Sequence, residues 1–340
     1  MLKPSLLATS LLAASSLFST SYVLAQDEVN VYSYRQAFLV EPLFAEFTKQ
    51  TGVKVNVVFA KAGLIERLEQ EGKHTPADLL LTTDIGHLEE AMEKGVLQPV
   101  QDEVLEEHIP AHLRDPEGRW FALTTRARVI YASKERVPEG EVQSYEDLAD
   151  PKWQGRICTR KGDHPYNIAL IASMIAHHGE EDAKAWLSAL KSNLAQKPQG
   201  NDRAQVKAIK EGVCDLAIGN SYYYGKMLEN PEQQAWAQAV NLVYPNQQDR
   251  GTHMNISGVG MTLGAPHKEA ALQLMRFLSD TKAQGMYAEV NYETPVKADV
   301  PASELVASWG EFKADTLPLH EIAAQRKAAA QLVNKVEFNH

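Results

Sequence analysis

VNVYSYRQAFLVEPLFAEFTKQTGVKVNVVF, residues 29–59, reads as strand, helix, strand. Residues 29–34 alternate and are rich in β-formers. Leu43, Phe44 and Phe47 fall on one face of a helix expected over residues 41–50, and Gly52 stops it. Residues 53–59 alternate again. Downstream the pattern repeats, with a helix expected over 64–71, an apolar run at 77–82 suited to a fully buried parallel strand, and a helix over 85–94 closed by Gly95. Such alternation predicts an α/β sheet with ligands at the carboxyl ends of its strands.

The chain of 340 residues opens with Lys3, an apolar stretch over 6–18 and small residues before Gln26, the pattern of an export signal over residues 1–25. That stretch is too short to span a bilayer, which takes roughly 20 apolar residues. The remainder exceeds the usual size of one core, so two lobes are expected. Residues 120–132 read as an extended crossover into a second lobe. That lobe is expected to hold helices over 167–177, 181–190 and 204–211, and a strand over 214–219. Residues 258–263 read as the return strand, with helices over 268–278 and 281–289 after it. The tail from Pro301 is expected to be helical and to pack on the second lobe. The first lobe then comprises 26–125 with about 255–300, and the second 126–254 with about 301–340. Two crossings suit lobes that hinge over a ligand.

Net charge is −10, from 44 acidic and 34 basic residues, with no basic stripe, which makes a poor nucleic-acid binder. The only cysteines, Cys158 and Cys214, are too few for a zinc motif, and the oxidising compartment that an export signal implies favours a disulfide between them.

Asn220-Ser221-Tyr222-Tyr223-Tyr224-Gly225 is the sharpest local feature. With 12 tyrosines in the chain, three in a row are expected by chance about 0.01–0.02 times. The run lies between a strand and a helix to about Leu228; with Ser221 as cap, Tyr222 and Tyr223 fall in the first helical turn and face the cleft. Lys161-Gly162-Asp163-His164-Pro165-Tyr166-Asn167 repeats the arrangement, with Pro165 suited to the first helical position and Tyr166 at a helix start after a strand. Each tyrosine alone also fits simple packing. Together they offer hard phenolate oxygens. A phenol ionises near pH 10, and a bound trivalent cation lowers that value sharply. Helix starts also favour anions such as carbonate, and Arg126 on the crossover could neutralise an anion or a phenolate.

These residues carry a family resemblance. The stretches Val31-Tyr32-Ser33-Tyr34-Arg35, Pro76-Ala77-Asp78, Thr125-Arg126-Ala127-Arg128-Val129, Trp153-Gln154-Gly155-Arg156, Tyr166-Asn167, Asn220-Ser221-Tyr222-Tyr223 and Asn291-Tyr292-Glu293-Thr294-Pro295-Val296 resemble, in order, the bacterial periplasmic ferric-ion-binding proteins of iron ABC importers. The resemblance implies a class II periplasmic-binding-protein fold, two α/β lobes joined by crossover strands. It implies a monomeric periplasmic protein that binds Fe(III) through Tyr166, Tyr222 and Tyr223, with Arg126 near the site and carbonate or a similar anion beside the metal. It also implies an inner-membrane ABC permease as partner. Tyr224 is expected to pack. Members of that family often supply a His or Tyr just after the opening strand; here the stretch is Arg35-Gln36-Ala37-Phe38, so the first-lobe ligand is Tyr34 or none.

An enzyme is the competing class, but there is no Gly-x-Ser-x-Gly elbow, and His320-Glu321 is followed by Ala324 where a zinc protease needs a second His. The nearer rival is a binding protein of the same fold for another small solute, such as a polyamine, thiamine or an oxyanion.

Overall fold

Ten strands among the described residues carry the fold. They are β1 (Glu28–Ser33), β2 (Lys54–Phe59), β3 (Leu79–Thr82), β4 (Leu97–Gln98), β5 (Phe121–Ser133), β6 (Ile157–Cys158), β7 (Leu216–Asn220), β8 (Val240–Val243), β9 (Met254–Thr262) and β10 (Thr294–Pro295). This computed structural model describes residues 28–340, so the export signal expected over 1–25 lies outside the described residues. The helices of the first half are α1 (Ala37–Thr51), α2 (Leu64–Glu71), α3 (Ile85–Glu93), α4 (Glu103–His108), α5 (Pro165–His178) and α6 (Glu180–Ser192). Those of the second half are α7 (Asp202–Lys210), α8 (Tyr222–Glu229), α9 (Gln234–Gln238), α10 (Lys268–Ser279), α11 (Thr281–Asn291), α12 (Glu304–Ala307), α13 (Leu319–Ala324) and α14 (Arg326–Lys335).

The main strand order is β2-β1-β3-β9-β5-β7-β6. β1 lies parallel to β2 and β3, as the opening strand–helix–strand pattern requires. β5 makes the crossing. Its first part pairs antiparallel with β9, and from Arg128 onward it pairs with β7 and β8. Every residue of β5 is buried, because both of its faces are covered along the whole length. β9 returns the chain and pairs with both β5 and β3. It begins at Met254, earlier than the apolar pattern suggested, because polar Asn255 and Ser257 are buried within it. Ser257 Oγ meets Thr124 Oγ1 at 2.6 Å, and Asn255 Oδ1 accepts from the Ile85 N–H at 3.1 Å.

Two further differences are local. α1 begins at Ala37 rather than residue 41 and takes Pro42 inside, where Leu39, Val40, Leu43, Phe44 and Phe47 bury one face. The tail does pack on α5 through α13 and α14, but α13 also contacts α3 on the other side of the crossing strands. Arg326 donates to the Gly86 carbonyl at 3.3 Å and to Glu93 at 3.1 Å, so the tail is tied to both halves rather than to the second alone. Cys158 and Cys214 form a buried disulfide that joins β6 to the approach of β7, with a Cα separation of 5.9 Å.

Candidate functional site

β7 ends in Asn220, and α8 begins with Tyr222 after the single intervening residue Ser221. The turn is pinned from behind. The Asn220 carbonyl accepts from Tyr131 Oη at 2.7 Å, and the Ser221 N–H donates to the Ala127 carbonyl of β5 at 3.0 Å. Ser221 is not the side-chain cap that its position suggested: its backbone is already helical (φ −55°, ψ −41°), and its hydroxyl caps nothing. The second helix start follows the expected chemistry. Pro165 occupies the first position of α5, and His164 caps it, Nδ1 accepting from the Tyr166 N–H at 3.2 Å.

These two junctions bring the three tyrosines together. Tyr166 Oη and Tyr222 Oη are 3.3 Å apart, and the Tyr222 and Tyr223 rings lie 4.3 Å apart centre to centre. Tyr222 is buried, while Tyr166 and Tyr223 are partly open. Burial, the neighbouring Tyr166 and the neighbouring Tyr223 push the Tyr222 phenol well above its usual range, against the pull of Arg126. Burial and Tyr166 raise Tyr223 as well. With no cation present, both hydroxyls keep their protons at neutral pH.

Arg126 is the cationic element. It is only 2 % exposed, and its guanidinium lies 5.7 Å from the Tyr166 ring centre. Its Nε and Nη1 are buried without a hydrogen-bond partner, an arrangement that costs stability unless a ligand supplies the acceptor. Two carboxylates that the sequence reading did not single out lie within its field. Asp84 caps α3 through the His87 N–H at 3.1 Å and bonds His87 Nδ1 at 2.8 Å. Burial opposes its ionisation, yet His87 and Arg126 hold its carboxyl well below the usual range. Glu293 is buried in a two-pronged pair with Arg35, at 2.9 and 2.6 Å. Arg35 and Glu293 come from the first and last of the stretches quoted for the resemblance. The signal for Asp84 was present, since an Asp directly before a helical stretch is a cap; its closeness to Arg126 depends on the fold. A cavity of about 250 Å³ opens between α3, α5 and the tail, with Asp84, His87, Asp163 and Pro165 in its wall.

Tyr34 is not with the other tyrosines. Its hydroxyl accepts from the Leu64 and Ile65 N–H groups, both at 3.0 Å, and its ring stacks on His87 at 4.4 Å. α2 starts at Leu64 after a left-handed Gly63 that offers no side chain, so Tyr34 does the capping. Gln36 is exposed at the start of α1. Tyr224 packs, with its ring 6.4 Å from Tyr131 and edge-on to Trp309 at 5.4 Å. Among the described residues no group of three or more His, Cys, Asp or Glu side chains is placed to hold a metal.

Comparison with known proteins places this arrangement. Residues 74–313 match the family described as bacterial extracellular solute-binding protein. The iron uptake protein A1 of Synechocystis sp. is 46% identical over 313 residues, 91% of this chain and 87% of that one. The apo ferric ion-binding protein A of Pasteurella haemolytica superposes with a TM-score of 0.90 at 51% identity, covering 92% of this chain and 99% of that one. A Trichodesmium protein solved with iron and citrate ligands gives 0.86 at 41% identity, with 92% and 99% covered. The two-lobed periplasmic-binding-protein fold expected from the sequence is therefore the fold of this chain, and its relatives bind solutes rather than transform them. The chain belongs to the bacterial extracellular solute-binding protein family.

Proposed function

We propose that this protein is the periplasmic solute-binding component of a ferric iron ABC importer, and that it holds Fe(III) through Tyr166, Tyr222 and Tyr223. The observation that carries the reading is the 3.3 Å between the Tyr166 and Tyr222 hydroxyls, from two separate helix starts, with Tyr223 alongside. Metal–oxygen bonds of about 2 Å place neighbouring ligand oxygens roughly 3 Å apart. Phenolate is a hard donor for a hard, highly charged ion. The names of the relatives, which speak of iron uptake and ferric ion, support the same cargo.

Arg126 gives the site its second component. Its unpartnered Nε and Nη1 are donors awaiting an acceptor, which fits carbonate or a similar anion completing the iron's coordination. The citrate seen with iron in the Trichodesmium relative supports an anion of this kind. A polyamine finds poor company in such a place, because a buried cation repels it. With Tyr34 engaged by α2, the first lobe supplies no tyrosine, and the lobes (26–125 with 255–300, and 126–254 with 301–340) close over a site built on the second.

Iron docks on the tyrosine cluster from the side where Tyr166 and Tyr223 are partly open, each recruited phenol gives up its proton, and the lobes close by rotation about β5 and β9. The closed form is what a membrane permease receives from the exported monomer. Purified protein titrated with ferric salt in bicarbonate is expected to develop a visible phenolate-to-iron charge-transfer band. A Tyr222→Phe/Tyr223→Phe variant should lose it. No band in the native protein, or an unchanged band in the variant, overturns the reading.

A further inference from the structure

Behind the tyrosines lies a buried polar cluster to which nothing above assigns a role. We infer that Arg128, held by Asp202, is the positioning residue that sets Tyr166 against Tyr222 and Tyr223, and so fixes the spacing of the iron ligands; the inference rests on the ferric reading above.

Arg128 is 2 % exposed and sits on β5 directly opposite Asn220, at the point where the strand leaves β9 for β7. Its Nη1 donates to Asp202 Oδ2 at 2.8 Å and to Asn220 Oδ1 at 2.9 Å, and its Nη2 donates to Asn167 Oδ1 at 2.7 Å. Asn167 follows Tyr166 in the first turn of α5, and Asn220 lies two residues before Tyr222. One rigid planar group therefore spans the neighbour of Tyr166 on one side and that of Tyr222 and Tyr223 on the other. Each end is fastened further. Asn167 Nδ2 donates to Thr159 Oγ1 and to the Arg160 and Lys161 carbonyls at 3.0–3.2 Å, which fixes the loop leading into α5. Asp202 Oδ2 also accepts the Asn220 N–H at 2.9 Å, and its Oδ1 accepts Arg160 Nη1 at 2.9 Å.

The sheet does not do this work alone. β6 and β7, which lead into α5 and α8, pair only at Ile157 with Leu216 and at Cys158 with Ala217, well short of the tyrosines. Nor does core stability require an ion cluster here, since apolar packing of like volume serves stability as well or better. What an apolar set lacks is direction. The guanidinium fork fixes two acceptors at set angles, which a lysine ammonium does not. Ligating side chains must be held within about 0.5 Å of the productive geometry by such supports.

The test is a double-mutant cycle in the full chain: native protein, Arg128→Lys, Tyr166→Phe, and both together, each titrated with ferric salt in bicarbonate. Arg128→Lys keeps the charge and loses the fork. It is expected to remain folded by circular dichroism, to bind iron about 10- to 100-fold more weakly, and to show a diminished charge-transfer band. Tyr166→Phe should cost far less affinity in the Arg128→Lys background than in the native one, because Tyr166 has already lost its place there. A merely structural role leaves that second cost intact. If Arg128→Lys does not fold, Asn167→Ser, which removes the amide acceptor on α5, enters the same cycle. Native affinity and band in the positioning variant, or two costs that simply multiply, overturn the inference. Absence of any band in the native protein overturns the ferric reading itself.

Discussion

On the proposed ferric reading, Arg126 sets a stability cost against a binding gain at a single residue. Its Nε and Nη1 are buried with no acceptor, a loss of about 1–3 kcal/mol for a group stripped of water. Arg126→Leu is therefore expected to leave the melting temperature unchanged or raise it. The same change should weaken iron binding and abolish its dependence on bicarbonate. Calorimetry and titrations with and without the anion check both halves. His253 behaves differently. It is 2 % exposed, and neither ring nitrogen has a partner. Burial drives its pKa down to about 3; Asp315 pulls it up, while Arg128, His177 and Arg126 add to the depression. An unfolded histidine titrates near pH 6.5, so between about 6.5 and 3 the unfolded chain binds the extra proton. The stability that this neutral ring supplies is complete above pH 6.5 and is lost as pH falls, at about 1.4 kcal/mol per unit. His164, also held down to about 3 by burial and by Arg160, adds in the same direction. Denaturant unfolding between pH 6.5 and 4.5 should show a shallower slope for His253→Gln than for the native chain. The tyrosines were legible because three adjacent aromatics after a strand are rare by composition. The role of Arg128 was not, because its partners Asn167, Asn220 and Asp202 come from separate elements that only the fold assembles, and for Asp84 the cap was readable while its closeness to Arg126 was not.

α8 must present Tyr222 and Tyr223 on one side while its other side packs against the end of α11. Gly225 makes that contact possible. A Cβ there would lie 2.5 Å from Cγ and Cδ2 of Tyr292, a ring held in place as the left-handed end of α11 and by a hydroxyl bond to Glu229. Gly225→Ala is expected to destabilise by about 1–3 kcal/mol, because neither the ring nor the helix has room to move. Chemical denaturation measures this, and Gly285→Ala is the control, since nothing lies within 4 Å of a Cβ at that position. Periodicity located the longer elements, since apolar spacing survives without tertiary context, and missed the short β4, α4, β8, α9 and β10. It was weakest at ends. α1 reached back to Ala37 through Pro42, and Ser221 entered the helix instead of capping it. Caps depend on which side chain can reach a free N–H, and at α2 that was Tyr34, from a distant strand.

The whole molecule turns on two strands. β5 pairs with β9 before the crossing and with β7 and β8 after it, β9 returns the chain alongside β5 to β3, and the tail bridges α5 and α3 beside them. The two crossings were readable as extended segments; the bridging tail was not, since nothing in its helical pattern says which of two faces it covers. The proposed binding of Fe(III) by three phenolates of one lobe can be checked by diffraction from iron-loaded crystals at the iron absorption edge. One strong anomalous peak is expected about 2 Å from the hydroxyl oxygens of Tyr166, Tyr222 and Tyr223. A peak held by other side chains, or no peak among these tyrosines in iron-saturated protein, would contradict it.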